Sequence, residues 1–401
     1  MAIQGTELKK KIQELSSNLY GELVRIRRHL HRHPELSNEE VHTAEYICSR
    51  LEESGIPYKK GIGGNGIVAV IKGNKPGKGC IALRADMDAL PIPEENPVPY
   101  RSEADGKMHA CGHDVHMTSL LGAGKILFSL KDSFSGTVKL FFQPSEETYP
   151  GGAIRMIGEG VLKDPGVQYV IGQHVINTVE AGKIGVKAGA YMASTDEVFL
   201  KVRGKGGHAA TPEQVIDPIL IASHILVALQ QIVSRNANPV IPTVVSFGRI
   251  SGEGRTNVIP EVVNIDGTIR TYDEEWRKKI QEKIAEISTG VARSMGGDCE
   301  VIFSPGYPVL VNDENVTAKV RQWSAEYLGE KNVMELEARM TAEDFSYFAR
   351  EVPSCFYRLG IRNEAKGITS NLHTSTFDVD ESCLETGAGL LAFIALRMLN
   401  G

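Results

Sequence analysis

The sequence predicts an α/β protein: a mostly parallel sheet with flanking helices, interrupted by an inserted β-α-β-β-α-β unit of its own. Three observations predict it. Short apolar runs alternate with helical stretches through residues 1–187. The rhythm changes to strands and two long helices from about Asp196, and helix-and-strand material resumes after Pro308.

Near the start, Leu8, Ile12, Leu15, Leu19, Leu23, Ile26 and Leu30 recur at spacings of three and four. They form the apolar stripe of an amphipathic helix, with a break or bend expected near Gly21. Apolar runs at 67–71, 81–85, 138–142 and 169–171 read as strands, each closed by polar or glycine-rich loops. Helices are expected between them, at 115–130 and 152–160. In the second rhythm, strand 197–202 precedes helix 218–233, strands 243–250 and 262–270, helix 274–295 and strand 300–303. That order describes a ferredoxin-like layer occupying residues 188–306, with 1–187 and 307–401 forming the two parts of the other domain.

Composition narrows the class of function. Hydrophobic residues make up 42% and charged residues 23%, and 50 acidic against 44 basic residues leave a net charge of −6. No field gathers nucleic acid or an anionic membrane. The first residues contain no apolar secretory region, and no uninterrupted apolar run approaches the roughly 18 residues of a membrane helix. The six cysteines (48, 80, 111, 299, 355 and 383) are scattered and read as reduced, mostly buried thiols in a cytoplasmic protein.

The chemistry concentrates in a few strings. MHACGHDVH (108–116) places Cys111 and His113 two residues apart just ahead of a helix, a pairing that suits zinc and related ions. A buried cysteine beside a polar loop is the plain alternative. Glu146 and Glu147 follow an apolar strand, where adjacent side chains diverge; one carboxylate can bind metal while the other faces a water. A solvated turn would look the same. His174 in VIGQHV also follows an apolar strand, and His373 in SNLHT lies in a polar loop; each alone reads equally as an ordinary polar residue. Asp86 and Asp88 close strand 81–85, either supporting a metal cluster or capping a turn. Ligand-type residues at the carboxyl ends of predicted strands lie along the edge where open α/β sheets bind ligands.

In this order the strings resemble the amidohydrolase branch of the dinuclear aminoacylase/carboxypeptidase metallopeptidase family, which includes hippurate hydrolases and N-acyl-amino-acid amidohydrolases. The resemblance runs from RRHLHRHPELS (27–37) through LRADMDALP, HACGHDVH, QPSEE, GKGGHAATP, TNVIP, GTIR and AEDFS to LHTSTFDVDE (372–381). It implies two divalent metal ions per subunit (Zn, Mn, Co or Ni) held by Cys111, His113, Glu147, His174 and His373. Glu146 becomes the general base, and Asp88 the aspartate behind the ligands. Asp86 stands where many relatives carry histidine and falls outside this implied ligand set. The inserted unit matches the family's lid and dimerisation domain. His208 there resembles the histidine that reaches substrate, often from a partner subunit, and Asn257 and Arg270 resemble lid residues that contact its polar groups. A homodimer or dimer of dimers is implied. Thr341 and Ser145 depart from the glycine and alanine common in relatives.

The implied activity is hydrolysis of the amide bond of N-acyl-L-amino acids, such as hippurate or N-acetyl amino acids. A carboxypeptidase or dipeptidase using the same centre is the alternative, because both substrate types present an amide beside a free carboxylate. A non-catalytic acyl-amino-acid-binding protein on this scaffold is a second alternative. No G-x-S-x-G elbow suggests serine hydrolysis.

Overall fold

The structure, a computed structural model, describes residues 5–400. The described residues divide into two compact units: 5–189 with 311–337 and 344–400, and 190–310 with 338–343.

Chain order in the first unit begins with helices α1 (Gly5–Arg32) and α2 (Val41–Glu53). Strands β1 (Tyr58–Ile62), β2 (Gly66–Lys72) and β3 (Lys75–Asp86) follow, then α3 (His113–Ser129), β4 (Ser135–Gln143), α4 (Gly152–Gly158), β5 (Tyr169–Glu180) and β6 (Ile184–Val186). Short strand β7 (Gly189–Met192) leads into the second unit. That unit contains β8 (Ser194–Arg203), β9 (Gly207–His208), α5 (Pro218–Leu229), β10 (Thr243–Ser251), β11 (Val258–Ile259), β12 (Val262–Thr271), α6 (Glu274–Ser294) and β13 (Asp298–Pro305). After β14 (Leu310–Asn312), the first unit is completed by α7 (Glu314–Leu328), β15 (Val333–Glu335), α8 (Ser346–Glu351), β16 (Ser354–Arg362) and α9 (Cys383–Asn400).

The large sheet has the order β1-β2-β4-β3-β5-β16-β6-β15. Its middle, β4-β3-β5-β16, is parallel, while β1, β2 and β6 join antiparallel nearer the edges. The inner strands are buried almost continuously. Parallel strands covered on both faces favour apolar residues at nearly every position, which explains their largely apolar runs, with Arg84 and Lys139 as buried exceptions. Because β3 and β4 pair as far as Asp86 with Gln143, both strands end at the same level.

Two sequence expectations need correction. Helix α1 runs through Gly21 without a break. A glycine costs an exposed helix about 1 kcal/mol, and the buried stripe of Leu8, Ile12, Leu23, Ile26 and Leu30, packed on α3 and α9, outweighs it. His174 lies inside β5, not beyond its end: β3 pairs with β5 only as far as Gly172, so beyond that point β5 continues against β16 alone. As the sequence reading expects, no uninterrupted apolar run of membrane length occurs, although two segments, Pro218–Asn236 and Cys383–Asn400, are long and apolar enough to cross a membrane by length and mean composition. Occasional polar residues interrupt their apolar runs. Helix α9 is buried along most of its length as a core element of the first unit, whereas much of the Pro218–Asn236 surface is exposed on the second.

The second unit has an antiparallel sheet, β10-β12-β8-β13, with α5 and α6 packed on it. Val198, Leu200 and Val202 alternate inward on β8 and meet Ile221, Ile225, Ile280 and Ile284. Asp217 and Asp273 cap the two helices by accepting from first-turn N–H groups. Arg277 grips Asp196 through two hydrogen bonds of 2.6 and 2.7 Å and donates to the Gly306 carbonyl, so α6 ties the first strand to the exit of the layer.

The histidine-rich end of α1 is structural. His31 is buried, with Nδ1 2.8 Å from Asp114 Oδ2 and Nε2 3.3 Å from Glu94 Oε1, and Arg27 donates to the same Asp114 oxygen. Burial and the Arg27 charge push the His31 pKa down, but the bonds to Asp114 and Glu94 outweigh them and raise it. A raised folded-state pKa gives stability that is complete below the unfolded value and is lost as pH rises through the folded value. His31→Gln should therefore destabilise by about 3 kcal/mol at acidic pH, and the deficit should narrow with rising pH. Thermal melts of both proteins between about pH 5.5 and pH 9 check this; a deficit independent of pH would mean that the folded protein does not charge His31.

Candidate metal centre

Three loop segments and one strand carry the donors. Cys111 and His113 flank Gly112, which opens α3 in the left-handed conformation (φ +83°). A Cβ there would lie 2.5 Å from Val175 Cγ2, so glycine is required both for the turn and for the approach to β5. Ser145 is also left-handed (φ +55°). Its N–H donates to Glu40 and its hydroxyl takes a bond from the Asn38 N–H, which fixes the turn after β4. The departure from alanine at this position is thus used by the turn. That turn aims the N–H groups of Glu146 and Glu147 at the two carboxylate oxygens of Asp88, at 3.0 and 2.9 Å. His373, at φ +61°, donates its N–H to the Ala110 carbonyl, which joins a distant loop to the Cys111 turn.

Around this frame, Cys111 Sγ lies 3.4 Å from His174 Nε2 and 3.3 Å from His373 Nε2. Glu147 Oε1 lies 3.5 Å from His373 Nε2 and 3.9 Å from His113 Nε2. Within each of three groups the donor atoms lie within 4.8 Å of one another: Cys111-His113-His174, Cys111-Glu147-His373 and His113-Glu146-Glu147. All five sequence-implied ligands thus converge, and Cys111 is common to two groups.

Hydrogen bonding on the far side of two of the three rings supports coordination. His113 Nδ1 is 2.8 Å from the Asp88 carbonyl and His174 Nδ1 is 2.8 Å from the Val175 carbonyl. A carbonyl only accepts, so both Nδ1 atoms carry the proton and both Nε2 lone pairs face the cluster. His113 Nε2 and Glu147 Oε1 are buried without a hydrogen-bond partner. Two such atoms side by side fit a divalent cation, and the sulfur, imidazole and carboxylate set suits zinc and neighbouring first-row metals.

Electrostatics points the same way. Burial raises Glu147 to about 7, with the His113 charge opposing and Asp88 adding to the rise. Burial pushes the Cys111 thiol upward, and the Glu147 charge adds to it. Against burial, Asp86 and Cys111 hold His113 well above its ordinary value. For Asp88, burial pushes upward, but bonds from His113 and Ser37 keep the carboxylate below its ordinary range. These are responses of a buried, anion-rich cluster that stabilises positive charge.

Over residues 82–397 the sequence matches the model of peptidase family M20/M25/M40. The chain belongs to this family. It is 39% identical to thermostable carboxypeptidase 2 of Saccharolobus solfataricus, over 98% of this chain and all of that one. It is 38% identical to the N-acetyl-L-cysteine deacetylase of Bacillus subtilis, over 96% and 90% of the two chains. The solved structure of a Bacillus subtilis dinuclear metal-binding peptidase of family M20 superposes with a TM-score of 0.82 at 33% identity, covering 96% of this chain and 99% of that one. Like its family, this protein is a metal-dependent hydrolase.

Sequence reasoning missed four residues behind the centre of this M20 protein. His116 contacts Asp86 through Nδ1 at 2.5 Å, and its Nε2 accepts from the Val175 N–H. Because a backbone N–H must donate, the ring proton resides on Nδ1, and both nitrogens are committed to protein partners. His116 therefore orients Asp86 and β5, although it lies close enough to Asp86 and His113 to form a donor group with them. Arg84, Gln143 and Asp344 form a buried network beside it. The signals were present: His116 stands one helical turn from His113, and an arginine interrupts the apolar strand at position 84.

In the second unit, His208 pairs with Val258 across the β9-β11 ribbon, and the Asn257 carbonyl accepts from Ala209 N beside it. His208 Nδ1 accepts from the Ala210 N–H, leaving Nε2 as a donor in the neutral ring. Arg270 lies elsewhere, on β12 opposite Thr195 and Val244; its Nη1 donates to the Ile269 carbonyl and to Thr268. Burial lowers the Arg270 pKa.

Proposed function

We propose that this M20 protein hydrolyses the amide bond of N-acyl-L-amino acids, of hippurate or N-acetyl type, and releases a carboxylate and a free amino acid. The observation that carries this reading is the convergence of Cys111, His113, Glu147, His174 and His373 around atoms left unpartnered, with a separate carboxylate, Glu146, beside them. In this reading Cys111, His113 and His174 hold one divalent ion, and Cys111, Glu147 and His373 hold the other. Ions held there would polarise the scissile carbonyl and make hydroxide accessible near neutrality. Glu146 takes the proton from the attacking water and returns it to the departing nitrogen. Asp88 keeps His113 in the Nδ1–H tautomer and holds the Glu146-Glu147 turn.

On the family resemblance we assign His208 a donor role towards substrate through Nε2–H, Asn257 contact with its polar groups, and Arg270 its carboxylate. The cysteine deacetylase relative favours an N-acyl substrate. The carboxypeptidase relative favours a second reading, cleavage of short peptides, since both substrates place the amide beside a free carboxylate. The exposed apolar residues Ile219, Leu220 and Val227 of α5 support a homodimer that covers this helix.

The test is a screen of metal-depleted protein resupplied with Zn²⁺, Mn²⁺, Co²⁺ or Ni²⁺, using hippurate, N-acetyl amino acids and blocked dipeptides. Turnover should return only with metal and should be faster on N-acyl amino acids. Faster cleavage of the dipeptides would establish the second reading. No turnover with any metal would sink both, and sedimentation of the same sample reads the oligomer.

A further inference from the structure

We propose that Asp344, clamped by Arg84, is a positioning residue for Glu146, holding the base carboxylate from behind. The inference rests on the reading of Glu146 as general base. The backbone N–H of Asp344 donates to Glu146 Oε1 at 3.4 Å, while the Asp344 carboxylate, one oxygen of which lies within 4.8 Å of a Glu146 oxygen, is held in a buried cradle. There Oδ1 accepts from Arg84 Nη2 at 2.8 Å and from Gln143 Nε2 at 2.9 Å, and Oδ2 lies 2.7 Å from the same Gln143 nitrogen and 3.1 Å from Ala153 N. Donors thus fix the carboxylate at both oxygens, and with it the direction of the N–H that meets Glu146.

Gly151 is part of the cradle. Its φ is +86°, and a Cβ there would stand 2.4 Å from Asp344 Oδ2, so any side chain would displace the carboxylate. Arg84 has a second task. Its Nη1 holds Asp86 at 2.6 Å, Asp86 holds His116, and His116 holds the Val175 N–H next to His174. One fully buried guanidinium therefore braces both the base side and the ligand side of the centre. A mere core ion pair would not direct the backbone N–H of one partner onto the reacting carboxylate.

The test uses Asp344→Ala and Asp344→Asn in the metal-loaded enzyme, with Glu146→Gln as reference. Both Asp344 variants should lower kcat by about 10–100-fold, the scale of lost support behind a catalytic group, with metal content and KM within about twofold. Asp344→Ala vacates a space lined by Arg84, Gln143 and Ala153 donors, so added formate should restore kcat at least tenfold and saturably. Formate should not rescue the double variant Arg84→Met/Asp344→Ala. Should Asp344→Ala fail to fold, the kcat and KM of Asp344→Asn decide: that variant keeps the shape but faces the Gln143 and Ala153 donors with an amide. Unchanged kcat in the folded variants, or a loss that tracks loss of metal, overturns the positioning role. Near-normal activity of Glu146→Gln would instead overturn the assignment of the base, so the two failures are distinguishable.

Discussion

Glu146→Gln is expected to retain the fold and the metal content while losing nearly all turnover. The side chain is buried beside Glu147, and its backbone is held by Asp88 through the bond to Glu146 N. Glutamine keeps the shape and an acceptor oxygen for the Asp344 N–H, so the turn should survive. An amide cannot take a proton, and general base catalysis contributes about 10²–10⁴-fold. Metal analysis and rates on one purified sample check this. Glu146 also belongs to a donor group with His113 and Glu147. Metal lost in step with activity would make it a ligand, and near-normal rates would remove it from the reaction.

Cys111→Ser should have a comparably large effect by another route. In the proposed reading the sulfur belongs to both donor groups that hold the ions, so its loss should weaken both sites together. Orienting partners behind metal ligands already contribute about 10–100-fold in affinity, and a direct ligand contributes at least as much. Burial and Glu147 push the thiol pKa up, so the thiolate needs a cation beside it. Dialysed Cys111→Ser should therefore hold little metal, and its residual activity should follow the metal content. In the unmodified protein, bound metal should slow alkylation of Cys111. Equal alkylation rates with and without metal would rule the thiolate out as a ligand.

Much of this was legible without tertiary structure because it is local. Apolar runs in β3 and β4, the stripe of α1 and the alternation of β8 each encode which face is buried, and the order of elements from β8 to β13 spells out the inserted layer. Residue chemistry marked Cys111, His113 and the Glu146-Glu147 pair as candidates for a metal centre. Periodicity could not say which loops meet. The order β4-β3-β5-β16 brings Asp86, Gln143 and His174 towards one region, and a bond to Ala110 carries His373 to Cys111 across 262 residues of sequence. Nor could spacing separate His113 from His116, one turn apart on the same helix. Their roles follow from where each second nitrogen goes: His113 gives a proton to a carbonyl and keeps a free lone pair, whereas His116 meets an N–H and has none left. The sequence by itself determined the elements and the kinds of donor. Only the tertiary structure decided which donors share a site and which ring atoms are free, because both depend on hydrogen-bond partners that are distant in the chain.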